Sequence, residues 1–102
     1  MAKFVYAYVG GTMAATPQEQ EAQMQKWTAW MGELGSVFTD IGNPFSAATT
    51  VTTGGSTDGG ASRLSGYSIV EADSLADATT KAGGCPVLES GGTVEVYEAI
   101  EM

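Results

Sequence analysis

The strongest constraint on the fold is a helix start that follows closely on a strand. Residues 3–9, Lys-Phe-Val-Tyr-Ala-Tyr-Val, are β-branched and aromatic, and Gly10-Gly11 ends the run. Thr16-Pro17-Gln18-Glu19 then reads as a helix N-terminus. Thr16 caps, Pro17 stands where its missing N–H costs nothing, and Glu19 completes a capping box. Met24, Trp27, Met31 and Leu34 share one apolar stripe, and Gly35 is a suitable stop. The pattern predicts a helix over 17–34.

The remaining chain repeats the alternation. Residues 36–40 read as a short strand, and Ile41-Gly42-Asn43-Pro44-Phe45 as a turn-rich connection. Residues 46–53 suit a polar edge strand or an extension of the previous one. Gly54 to Gly60 is expected to be a loop, because glycine at this density holds a strand poorly. Leu64 to Glu71 is strand-like. Ser74 can cap a second helix, with Asp77 favourable to its dipole and Leu75, Ala78 and Ala82 on its buried side. Gly83-Gly84-Cys85-Pro86 closes that helix, and Thr93 to Ile100 alternates as a last strand. The order is βαββαβ, an α+β, ferredoxin-like arrangement: a four-stranded antiparallel sheet with two helices on one face. At 102 residues the chain is expected to be a single domain, 1–102.

Two helices on one face leave the other bare. Alternation puts Val5, Ala7 and Val9 on one side of the first strand and Phe4, Tyr6 and Tyr8 on the other. The small aliphatics suit the side packed against helices, as do Val94 and Val96. Phe4, Tyr6, Tyr8, Tyr67 and Tyr97 are then expected on the helix-free face, an apolar patch that monomers rarely keep exposed. A second copy would cover it, so a homodimer, a barrel built from two sheets, is expected. Tyr6, Tyr8 and Tyr67 are candidates to line a small-molecule cleft at that interface.

Charge narrows the partners. Four lysines and arginines face twelve acids, a net charge of −8, and Lys3, Lys26, Arg63 and Lys81 are scattered. Nucleic-acid binding needs clustered cations, and so does an anionic membrane surface; neither partner is expected. No apolar run approaches the ~20 residues that span a bilayer, and the first residues lack signal-peptide architecture. A cytoplasmic location is the resulting expectation. Cys85 is the single cysteine, so no internal disulfide forms. Without histidine, and with acids spaced unlike a calcium loop, no metal site and no cofactor are expected.

Leu64 to Ala78, Cys85-Pro86 and Gly91-Gly92-Thr93-Val94-Glu95-Val96 together resemble the YCII-related, or DGPF-domain, family. Asp58-Gly59 sits where that family often carries Asp-Gly-Pro-Phe, although Gly60-Ala61 follows here. Gly42-Asn43-Pro44 resembles the family's turn after the second strand. The resemblance implies a dimeric ferredoxin-like α/β barrel with a cleft between sheet and loops. It implies small-molecule chemistry by a histidine and an aspartate in some members, and association with sigma factors in others. The family's histidine belongs on the first helix, near Trp27. This chain has no histidine, so a histidine-dependent mechanism is excluded.

Asp40 and Asp58 are the remaining acid/base candidates, because loops at strand ends carry function. Arg63, the only arginine, is a candidate to hold an anionic ligand by a two-pronged contact. Cys85 at a helix C-terminus has its thiol pKa raised and reads as packing. Three functions stay open: a small-molecule-binding dimer, an enzyme using Asp40 or Asp58 with tyrosine hydroxyls, and an interaction subunit of a transcription factor.

Overall fold

A computed structural model of the chain describes residues 2–10, 16–59 and 64–100. Its elements run β1 (Ala2–Val9), α1 (Pro17–Leu34), β2 (Phe38–Asp40), β3 (Thr49–Thr52), β4 (Gly55–Asp58), β5 (Leu64–Ala72), α2 (Leu75–Ala82) and β6 (Thr93–Ala99). The main sheet is antiparallel in the order β2-β5-β1-β6, which is the ferredoxin-like arrangement, with both helices on one face. No helix among the described residues is long and apolar enough to cross a membrane.

Both helices begin as the sequence dictates. The Thr16 hydroxyl accepts the Glu19 N–H at 3.1 Å with Pro17 at the first position, and the Ser74 hydroxyl accepts the Asp77 N–H at 3.1 Å. Gly35 ends α1 at φ 54, and a short 3-10 turn over Gly35–Val37 delays β2 to Phe38. The stripe on α1 is shifted from the expected one. Trp30 is its buried residue, while Met24 is 69% exposed. On α2, Ala78 and Ala82 are buried and Leu75, in the first turn, is exposed.

The sides of β1 are the reverse of the expectation. Phe4, Tyr6 and Tyr8 are buried beneath the helices, and Val5, Ala7 and Val9 face the helix-free side. Registry explains the reversal. Tyr6 lies opposite Ser68 and Val96, and Tyr8 opposite Gly66 and Val94. The small residues of β5 leave room for the rings, and each hydroxyl finds an acceptor, Tyr6 on the Ala78 carbonyl and Tyr8 on Ser68 Oγ at 2.8 Å. A tyrosine buried with its hydroxyl satisfied contributes its ring area at little polar penalty, about 1.5–3 kcal/mol for a large side chain. Tyr67 and Tyr97 do lie on the helix-free side, opposite Ala7 and Val5.

The glycine-rich stretch also departs from the expected loop. Gly55–Asp58 pairs with Thr49–Thr52 in a separate two-stranded hairpin turned by Thr53-Gly54. Nearly every residue of this hairpin is exposed. Neither face packs on a core, so glycine and serine forfeit no packing there, and the threonines supply the strand preference.

Gly42 fixes how residues 41–45 lie along β5. Its φ is +79°, and a Cβ built there would stand 1.7 Å from the Tyr67 carbonyl oxygen. The same segment is tied down by the Phe45 N–H donating to Ser65 O at 2.9 Å and the Tyr67 N–H donating to Asn43 O at 3.3 Å. Gly91 has a similar φ of +85° but open space around it. Urea unfolding should therefore separate the two: Gly91→Ala is expected to lose about 1 kcal/mol for strain alone, and Gly42→Ala at least about 3 kcal/mol. Equal losses would contradict the close packing of this segment.

Candidate functional site

The helices approach the sheet differently. On α2 the alanines at 78 and 82 let its backbone lie against β5 and β6. On α1 the contact runs through indoles. Trp30 stacks on Tyr6 at 6.2 Å between ring centroids, and Trp27 meets Tyr8 edge-on at 5.0 Å. Trp30 is anchored by its Nε1 donating to Lys81 O at 3.3 Å, with Gly84 against the ring. Aromatic pairs of this kind add about 0.5–1.5 kcal/mol each beyond the area they bury. Held at ring distance, the N-terminal half of α1 leaves a gap above the end of β5.

That gap is a cleft of about 670 Å³. Gln20, Gln23, Met24, Trp27 and Met31 of α1 form one wall. Residues 41–44 form the other, and Tyr8 with residues 65–68 the floor. The described lining residues are apolar, aromatic, amide or hydroxyl-bearing, and none of these is charged. Size and character match a pocket for a small organic molecule.

The polar part of the floor is a chain of hydrogen bonds. The Tyr8 hydroxyl donates to Ser68 Oγ, and Ser68 donates to the Ile41 carbonyl. Ser68 is fully buried and Tyr8 nearly so. Burial lifts the Tyr8 hydroxyl well above the usual phenol range, against the opposing pull of its bond to Ser68. The Tyr6 hydroxyl is pushed up to about 12, first by burial and then by the Asp77 carboxylate. Burial likewise moves the Cys85 thiol up to about 11. Cys85 is a packed core residue.

The candidate residues scatter around this site. Tyr8 and Tyr67 line the cleft. Tyr6 does not, since it lies beneath α2 with its hydroxyl committed to Ala78. Asp40 Oδ1 accepts the Gly42 N–H at 2.9 Å, so this carboxylate shapes the turn into the 41–44 wall from outside the lining. Asp58 is exposed on the hairpin, opposite Thr49. Arg63 lies outside the described residues, as do Gly60 and Ala61. Sequence reasoning missed Gln20, Gln23, Ser65, Gly66 and Ser68. Amides at 20 and 23 on the same side as Trp27 and Met31 are a readable signal, since a purely structural stripe would be apolar there.

Neither a protein-family model nor a curated protein matches the chain. Among solved structures it is similar to 5-chloro-2-hydroxyhydroquinone dehydrochlorinase from Burkholderia phenoliruptrix AC1100, in complex with 2,5-dihydroxybenzoquinone. The TM-score is 0.59 at 16% identity, over 100% of this chain and 96% of that one. The two share a fold. At that identity the likeness speaks for the architecture alone, which is the ferredoxin-like α+β sheet described above.

The raised hydroxyl and thiol pKa values fix the sign of an alkaline effect. Each group favours its proton in the fold, so its contribution is complete below its ordinary pKa and is lost as pH rises toward the folded value. Stability should hold up to about pH 9, fall from there as Cys85 and then Tyr6 are drawn to ionise, and be lowest near pH 12. Urea midpoints across pH 8–12, with phenolate absorbance followed in parallel, check this. Ionisation of every tyrosine without loss of structure would contradict it.

Proposed function

We propose that the chain is a YCII-related small-molecule-binding protein whose ligand occupies the cleft between α1 and residues 41–44. The cleft itself carries this reading: about 670 Å³ walled by Trp27, Met24 and Met31, floored by Tyr8 and the β5 residues 65–68, with hydroxyls, amides and the Trp27 indole N–H as its side-chain polar groups. Apolar walls with a few fixed polar groups suit a small, largely apolar organic ligand. The shared fold supports it, since the dehydrochlorinase was solved with a small organic molecule, 2,5-dihydroxybenzoquinone. Binding does not call on Asp40 or Asp58, both outside the lining.

Two copies pairing through the helix-free face complete the proposal. With Phe4, Tyr6 and Tyr8 beneath the helices, the apolar surface of that face is Val5, Tyr67, Ile69 and Tyr97. Phe45 stacks on Tyr67 at 5.8 Å and covers part of it within the chain. The rest is a patch that an identical face would bury across a two-fold axis.

Met24 is 69% exposed on the cleft wall, so a charge there leaves the core alone. Met24→Glu should weaken binding of a neutral aromatic probe such as naphthalene at least about ten-fold, with unfolding unchanged within about 0.5 kcal/mol. Val51→Glu, on the hairpin at 76% exposure, should leave binding untouched. Titration by chemical shift reads both. Indifference of the probe to Met24→Glu would remove the cleft as its site. Light scattering on the same sample should report twice the 10.5 kDa chain mass.

A further inference from the structure

The hydrogen-bond chain in the cleft floor runs in one direction. It ends on the Ile41 backbone carbonyl, which can only accept. Ser68 must therefore give its one hydroxyl proton to Ile41, and its oxygen receives the Tyr8 proton at 2.8 Å. Tyr8 then has no proton left for a ligand. Its hydroxyl keeps acceptor capacity alone, at a residue that lines the cleft. The high pKa of Tyr8 keeps that hydroxyl neutral near pH 7.

Charge points the same way. The described lining residues bring no cation to meet an anionic ligand, and the whole chain carries −8. A carboxylate would shed its hydration without a charged partner in an apolar setting, which is strongly unfavourable. From these two observations we infer that the cleft selects an uncharged ligand with an apolar body and a hydrogen-bond donor, a hydroxyl or N–H, that it delivers to Tyr8. This rests on the cleft being the binding site, as proposed above.

Three probes of one skeleton test it on the unaltered protein: 2-naphthol, 2-methoxynaphthalene and 2-naphthoate, titrated by chemical shift at pH 7 and 0.15 M salt. The expected order is naphthol tightest, the methoxy compound about five-fold weaker, and naphthoate at least about ten-fold weaker than naphthol. Tyr8→Phe should erase the difference between naphthol and the methoxy compound. Ser68→Ala frees the Tyr8 proton, so the methoxy compound should gain on naphthol, a change of preference that simple loss of packing would not produce. Near-UV circular dichroism checks that both variants keep their fold. Equal affinity for naphthol and the methoxy compound in the unaltered protein overturns the donor requirement while leaving the cleft as a binding site. Naphthoate binding tightest, and losing that advantage in Arg63→Ala, overturns the neutral preference and assigns the ligand's charge to Arg63. Binding of none of the three at millimolar concentration overturns both this inference and the cleft reading beneath it.

Discussion

The structure depends on two tyrosine rings being buried between the sheet and its helices with their hydroxyls satisfied. Tyr6 and Tyr8 are large, and they fit because β5 opposes them with Ser68 and Gly66. Gly66 has no latitude: a Cβ there would meet Asn43 O at 3.0 Å, Pro44 Cα at 3.2 Å and the Tyr8 ring at 3.6 Å. An unsatisfied phenol in this layer would cost about 1–3 kcal/mol, so the Ala78 carbonyl and the Ser68 hydroxyl are as necessary as the space.

The rest follows from what those rings require of the helices. Tyr6 reaches a carbonyl of α2 because alanines bring that helix close. Tyr8 is roofed by Trp27 and Tyr6 by Trp30, and two indoles hold α1 off the sheet. The gap between α1 and the 41–44 segment is the residue of this mismatch, and it is where the cleft lies. One interaction therefore joins core and site. Ser68, fully buried, accepts from Tyr8 and in the same stroke holds Ile41, a wall of the cleft. Stability and recognition are coupled through a single hydroxyl.

Much of this architecture was legible in the residues. The helix at 17–34 needed only Thr16, Pro17 and Gly35, because local capping decides a terminus and the chain near it carries the signal. The order of elements followed from periodicity. The side taken by β1 was not legible. Alternation says that Tyr6 and Tyr8 share a face, but which face is buried is decided by β5 and α2, 58 to 72 residues away. Ranking by apolarity favoured Val5 and Val9. The ranking fails because it charges a phenol for its hydroxyl before asking whether an acceptor stands opposite. The hairpin at 49–58 escaped for a related reason: the rule against glycine in strands describes strands that pack, and this one does not. For the site, Tyr8 was expected to line a cleft on the helix-free side, and it lines one beneath α1 instead. Ser68 was not legible, because a serine inside a strand is unremarkable until its tyrosine partner and the turn at Gly42 are placed around it.

The central claim is the placement of the Tyr8 ring between β5 and α1, and aromatic nuclear Overhauser contacts report it directly. With the rings so placed, cross-peaks run from the Tyr8 ring to the Trp27 indole and from the Tyr6 ring to the Trp30 indole. Cross-peaks from the Tyr8 ring to Ile69 and Tyr97 instead would put these tyrosines on the helix-free side and contradict that placement.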